Sequence, residues 1–335
     1  MIRRYALPLD YALETARGTI DERQGFLFAR DGGVGEATPL PGWTEPLDAC
    51  ERALEAADDA ENWNDVLAAC EDAPAARHAV SLAKLDSESR DATVSLARHL
   101  TADPAASVPV NATVGDGSPE QTADEARAAA ENGFGTVKVK VGARSLEADI
   151  ERLRAVRDAT DATLRADANG AWTRGQAREA FAAFADVGVE YVEQPLPADD
   201  LAGHADLRGG EVGVALDESL TEHALSDVLD AADYVVVKPM ALGGVDRALN
   251  AARDARRAGV EPVVTTTIDA VVARTAAVHL AAAIPDIPAC GLATADRLAE
   301  DLAADPAPVE DGRIRVPESP GHGVSVDLTE VTPDA

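Results

Sequence analysis

Two lysines one residue apart, Lys138 and Lys140, a third in a separate segment, Lys238, and three carboxylates closing short apolar stretches, Asp167, Glu193 and Asp217, are the residues of this chain best suited to chemistry. Side chains alternate along a strand, so Lys138 and Lys140 in TVKVKVG share one face, as do Arg165, Asp167 and Asn169 in TLRADANGAW. Carboxylates gathered in a partly buried pocket repel one another unless a cation neutralises them or some bind protons. An all-oxygen set without nearby histidine or cysteine suits a hard ion, Mg²⁺ with Mn²⁺ as second candidate, better than Zn²⁺.

Lysine is otherwise almost absent. Lys84, in a helical stretch among charges, is the only one outside these segments, and all other basic residues are arginine or histidine. Each piece alone also reads structurally. A lysine pair can belong to a salt-bridged barrel layer, Asp-Ala-Asn-Gly can be a turn, and Glu-Gln-Pro can end a strand. Taken jointly, ionisable groups at five consecutive strand ends favour a catalytic reading.

The elements that must carry these groups recur with a rhythm. Strand-like stretches begin near Val110, Val137, Leu164, Tyr191, Val214, Val235, Val263 and Gly291, separated by alanine-rich amphipathic segments. Eight such strands, each followed by a helix, predict an α/β fold with a (β/α)8-type barrel over residues 106–315, whose catalytic groups stand at the C-terminal strand ends. No G-x-G-x-x-G follows a strand, which disfavours a doubly wound sheet. Residues 1–105 read as an α+β capping domain, with QGFLFAR a strand and EPLDACERALEAA and DAPAARHAVSLAKLDSESRDATVSLARHL helical. The tail, 316–335, is expected to return to that domain.

Bulk properties exclude several classes. Sixty acidic against 30 basic residues give a formal net charge of −30, which disfavours nucleic acid and anionic membranes as partners. Such an excess suits a salty cytoplasm, where counterions screen self-repulsion. No apolar run reaches the roughly 18 residues of a membrane span, and the N-terminus has no leader-like apolar region, so a soluble cytoplasmic protein is expected. Cys50, Cys70 and Cys290 lack metal or redox spacing and read as inert thiols. The possibility of a homo-oligomer stays open.

The series VKVKVG, LRADANGAW, VEQP, LDES and VVVKPMALGG resembles the enolase superfamily, in its muconate-lactonizing-enzyme-like subgroup with lysines on opposite barrel walls. KPMALGG, TTTIDAVVARTAAVHLAAAIPD and CGLATADRLAEDL are most similar to the o-succinylbenzoate synthases within it. The resemblance implies an enolase-like fold and metal ligation by Asp167, Glu193 and Asp217. It implies acid/base catalysis by Lys140, with Lys238 as the opposed cation. Lys138 would tune the pKa of Lys140, Arg165 and Asn169 would be polar neighbours of the site, and Glu218 and Asn169 would support the ligands. The implied partner is a small-molecule carboxylate, and the implied reaction is its syn dehydration through an enediolate, in menaquinone biosynthesis.

Where relatives carry a Ser-Ser-Leu-Gly-like run, this chain has Thr265 to Val272, in which Thr267 can offer a hydroxyl and Asp269 reads as structural. Residues 15–19 and 40–43 fall where the family places specificity loops. The six histidines avoid the strand ends and read as surface or helix residues, which removes a histidine-type racemase. The rival readings are an N-acylamino acid racemase or dipeptide epimerase with two opposed lysines, a Schiff-base aldolase, and a non-catalytic ligand-binding barrel.

Overall fold

A computed structural model describes residues 1–15, 18–329 and 331. The N-terminal segment forms an antiparallel sheet of β1 (Ile2–Thr15), β2 (Gly18–Arg30) and β3 (Gly33–Ala37). Asp31 and Gly32, both with positive φ, make the tight turn from β2 to β3, as a two-residue hairpin connection requires. The sheet packs Phe26, Phe28 and Ala37 against the helices Leu47–Asp58 and Pro74–Asp91, with Leu54, Ala76, Val80 and Ala83 in one core. Lys84 on the second of these helices pairs with Glu88 at i,i+4.

Short β4 (Ser107–Pro109) precedes the parallel strands β5 (Ala112–Val114), β6 (Thr136–Lys140), β7 (Thr163–Asp167), β8 (Val189–Glu193), β9 (Gly213–Leu216), β10 (Tyr234–Val237) and β11 (Glu261–Val264). They hydrogen-bond in sequence order from β5 to β11. Val-rich strands buried on both faces are what a parallel sheet under helices demands. Their helices start at side-chain caps: Ser118 with Gln121 and Thr173 with Gln176 form capping boxes, and Ser145 caps Leu146–Ala159.

The stretch expected to supply an eighth strand from Gly291 is reduced to two bridges. Cys290 pairs with Val110 and Gly291 with Thr265, which closes the sheet into a ring. Only a 3₁₀ turn, Ala295–Arg297, follows it, so the expectation of a helix after every strand fails at the last one. Leu292, Leu298 and Ala307 reach the core from an irregular path, and Asp301 and Asp305 pair with Arg274 of the preceding helix.

The chain then forms the hairpin β12 (Val309–Glu310) and β13 (Arg313–Arg315), and β13 pairs with β4. Beyond it the backbone crosses to the N-terminal unit: Gly321 bridges Ser95, His322 N donates to Asp86 at 2.9 Å, and Arg3 Nε donates to Leu328 O at 3.1 Å. Among the described residues no helix is long and apolar enough to cross a membrane.

Candidate active site

The C-terminal ends of β6 to β10 open into a cleft of about 580 Å³. Lys138 and Lys140 from β6, Asp167 and Asn169 at the end of β7, Glu193 from β8, Asp217 and Glu218 after β9, and Lys238 after β10 all line it. Ala198, Thr221 and Glu222 add to the lining, and further walls are Thr265 to Ile268, after β11, and Leu40 to Trp43 from the N-terminal unit. Of the two capping segments singled out in the sequence, residues 40–43 thus border the cleft, while 15–19 lies partly outside the described residues.

Gln194 holds two of these strand ends in register. Buried, with φ +42, it accepts from Asp217 N at 3.0 Å and donates to Ser219 Oγ at 2.9 Å and Leu196 O at 3.0 Å. Asn169, also in the left-handed region at φ +44, uses its amide to join Lys140 Nζ at 2.8 Å to Glu218 Oε1 at 3.0 Å. Such conformations cost energy in non-glycine residues and persist where neighbours hold them.

The three lysines pair with Asp167, Glu193 and Asp217, while Glu218 meets, among the described residues, only the Asn169 amide. Lys138 Nζ stands between two carboxylates, 2.8 and 2.9 Å from the Glu193 oxygens and 3.1 Å from Asp167 Oδ2. Lys140 Nζ is 2.7 Å from the same Asp167 oxygen. Lys238 Nζ is 2.6 Å from Asp217 Oδ2 and lies 3.3 Å from the centroid of the Trp43 indole.

The electrostatics follow from burial and pairing. Burial works against ionised Asp167, but Lys138 and Lys140 outweigh it and hold this carboxyl well below its usual range. Burial and the charge of Asp167 push Glu193 up. Burial takes Asp217 to about 8 in spite of Lys238, with Glu218 and Glu193 adding to the rise. Burial disfavours the Lys138 ammonium too, yet Asp167 and Glu193 raise it well above the ordinary lysine value.

The donor set fits a hard divalent cation. Asp167, Glu193 and Asp217 offer carboxylate oxygens, and Asp217 Oδ1 and Glu218 Oε2 are buried without a hydrogen-bond partner. Asp217 and Glu193 are also the carboxyls whose ionisation the site disfavours, a cost that a cation would lift. Among the described residues no three Asp, Glu, His or Cys side chains already converge as a metal cage, because ammonium groups stand between the carboxylates.

Arg165, expected beside the reacting groups, is placed elsewhere. It is 1% exposed, donates to Glu190 at 2.7 Å and to Ala289 O at 2.6 Å, and stacks on Tyr191. Strand alternation assigns a face but not a depth, and Arg165 lies one layer below Asp167, inside the barrel. Thr267 reaches the cleft with its hydroxyl committed to Asp269 at 2.5 Å.

Among the described residues no histidine lines the cleft; His78, His204 and His279 lie in helices, as expected, and these three and His322 are buried. His78 meets Glu36 O at 2.7 Å, His204 accepts from Leu196 N at 3.2 Å, His279 accepts from Ala97 N at 3.2 Å, and His322 accepts from Val324 N at 3.1 Å. An imidazole both gives and takes a hydrogen bond, which lets it tie backbone groups together inside a core. Arg23 carries no local signal of its bond to Ile268, and Trp43, within a segment the sequence singled out, carries none of its contact with Lys238, because these partners are far away in the chain.

Residues 121–331 match the family model described as enolase C-terminal domain-like. An o-succinylbenzoate synthase of Thermobifida fusca is 41% identical over 210 residues, which are 59% of this chain and 63% of that protein. The matched region thus spans less than two thirds of that relative. Solved structures match over nearly the whole length. The dipeptide epimerase from Methylococcus capsulatus, complexed with Mg and the dipeptide L-Arg-D-Lys, aligns with TM-score 0.86 and 30% identity over 98% of both chains. The L-Ala-D/L-Glu epimerase from Bacillus subtilis aligns with TM-score 0.86 and 28% identity over 97% of both.

Proposed function

Because the chain belongs to the enolase superfamily, through its C-terminal domain-like family, we propose that it is an o-succinylbenzoate synthase, a lyase dehydrating 2-succinyl-6-hydroxy-2,4-cyclohexadiene-1-carboxylate to 2-succinylbenzoate. The observation that carries this reading is the placement of Lys140 and Lys238 on separate walls of one cleft, each beside a different carboxylate of the set Asp167, Glu193 and Asp217.

Asp167, Glu193 and Asp217 would hold Mg²⁺ or Mn²⁺, which when bound supplies positive charge next to the substrate carboxylate. The remaining steps belong to side chains. Lys140, in its neutral form, takes the α-proton, and the C–H electron pair becomes the enediolate. The Lys238 ammonium faces the new negative charge. The electron pair then returns to form the ring double bond while the C–O bond breaks, and Lys140 hands its proton to the departing hydroxyl, which leaves as water. One base serving both transfers requires that proton and hydroxyl leave from the same face. A positioned base contributes about 10²–10⁴-fold, and preorganised cations at the developing charge supply much of the remainder.

A second reading has its own support. The epimerases align over nearly the full chain, and two opposed lysines can serve as a pair of acid/bases for racemisation at carbon. The test is an assay with Mg²⁺ in molar salt against the cyclohexadiene carboxylate, beside N-acyl amino acids and dipeptides in deuterated water. Dehydration supports the synthase. Deuterium entering the amino-acid α-position without dehydration supports the rival.

A further inference from the structure

Two buried side chains of opposite charge reach from the N-terminal sheet to one stretch of the barrel rim. Arg23, on β2, is 2% exposed although Glu22 beside it faces outward. Its hydrogen bonds go to backbone carbonyls: Nη2 to Thr38 O at 3.0 Å, Nη1 to Pro39 O at 3.1 Å, and Nε to Ile268 O at 3.2 Å. Glu36, on β3, accepts from Ala270 N and Ala273 N at 2.8 Å each. It thereby caps the helix Val271–Ala282, whose own N-cap, Ala270, has no side chain to do so.

Between these anchors lies Ile268 at φ +60, a left-handed conformation that a β-branched residue avoids. Its carbonyl is the one Arg23 holds. Thr38 and Pro39 lead directly into Leu40 to Trp43, and Ile268 ends the run from Thr265, so Arg23 braces the two non-carboxylate walls of the cleft against each other. A planar guanidinium can serve three carbonyls at fixed angles, whereas an ammonium on a flexible stem cannot.

We propose that Arg23 is a positioning residue that sets the spacing between Leu40–Trp43 and Thr265–Ile268, and so selects the size of the substrate group remote from the reacting carbon. It acts from behind the wall, facing a separate depression shared with Glu22, Pro39 and Glu45. The inference rests on the reading of the cleft as the substrate site. Without Arg23, Ile268 is free to leave its strained conformation and both walls shift, while the lysines and carboxylates, held by β6 to β10, stay in place.

The test compares wild type, Arg23→Gln and Arg23→Lys as full chains with Mg²⁺. It reads kcat and KM for the cyclohexadiene carboxylate and for an N-succinyl amino acid, together with hydrogen exchange in peptides covering 38–43 and 265–273. For Arg23→Gln the ratio of kcat/KM between the two substrates is expected to move by about 10- to 200-fold, carried mainly by KM. Exchange should accelerate in both peptides and stay unchanged in β6 to β10. Arg23→Lys should fall between wild type and Arg23→Gln, and it is read by the same criteria if the glutamine variant fails to fold. A purely structural role would lower the melting temperature and leave the ratio fixed. That result, or unchanged exchange in both peptides, overturns the inference. Exchange is read whatever the substrate is, so a wild type that turns over neither compound refutes the proposed function and leaves the exchange result to judge Arg23.

Discussion

Trp43 and Lys238 meet across the two parts of the chain, with the ammonium 3.3 Å from the indole centroid and 2.6 Å from Asp217 Oδ2 on its other side. The N-terminal unit therefore supplies one face of the environment that holds the Lys238 side chain in place. A cation over a tryptophan face gains about 0.5–2 kcal/mol, so Trp43→Leu should lower kcat/KM by about 2- to 30-fold. In a Lys238→Met background the same change should cost far less. A double-mutant cycle with no coupling between the two positions would show that the contact does not matter to turnover.

Divalent cation and protein should depend on each other. Mg²⁺ at about 100 times its Kd should stabilise the folded chain by roughly 2.7 kcal/mol, seen as a rise in melting temperature that a chelator reverses. Asp217→Asn, which removes a proposed ligand and the partner of Lys238, should abolish that rise. A full Mg²⁺ response in Asp217→Asn would remove this residue from the ligand set.

Buried histidines set a pH dependence of known sign. Burial lowers His279 from 6.5 to about 4. Between those values the unfolded chain binds a proton that the folded chain refuses, so stability complete above pH 6.5 is lost as pH falls toward 4. His204 acts in the same direction. Glu36, raised by burial from 4.5 to about 7, acts oppositely, adding stability as pH falls through 7 toward 4.5. His279→Gln should therefore remove about 2 kcal/mol of the loss between about pH 7.5 and 5, and Glu36→Gln should steepen the loss. Denaturant titrations at the two pH values read both, and an unchanged slope in His279→Gln would contradict the assignment.

The net charge of −30 makes a further demand. At about 1 M salt the screening length falls to about 3 Å, so repulsion among exposed carboxylates is largely quenched while the buried pairs persist. The melting temperature should rise between about 0.1 and 2 M KCl. A steady fall over that range would contradict adaptation to salt.

Much of this site was legible in residue order, because period-two alternation and strand spacing bring Lys138, Lys140, Asp167, Glu193, Asp217 and Lys238 to one end of a barrel whatever the loops do. Depth along a strand was not legible, and Arg165 lies on the expected face one layer down. The eighth strand was overdrawn, since two bridging residues, Cys290 and Gly291, suffice to close the ring. Three of the four buried histidines lie in helices as expected, and only their burial, with His322 outside any helix, was not legible, because partners that are backbone atoms leave no trace in composition. Trp43, Arg23 and Glu36 act across distances of about 200 residues, where no local pattern reports a partner.

Everything in the proposed reaction turns on Lys140 moving the proton. The direct measurement is turnover of the cyclohexadiene carboxylate by wild type and by Lys140→Ala, with Mg²⁺ binding followed in parallel by thermal shift. In the variant kcat is expected to fall by about 10²–10⁴-fold while the Mg²⁺-induced rise in melting temperature is kept. Near-native dehydration by a Lys140→Ala chain that still binds Mg²⁺ would contradict it.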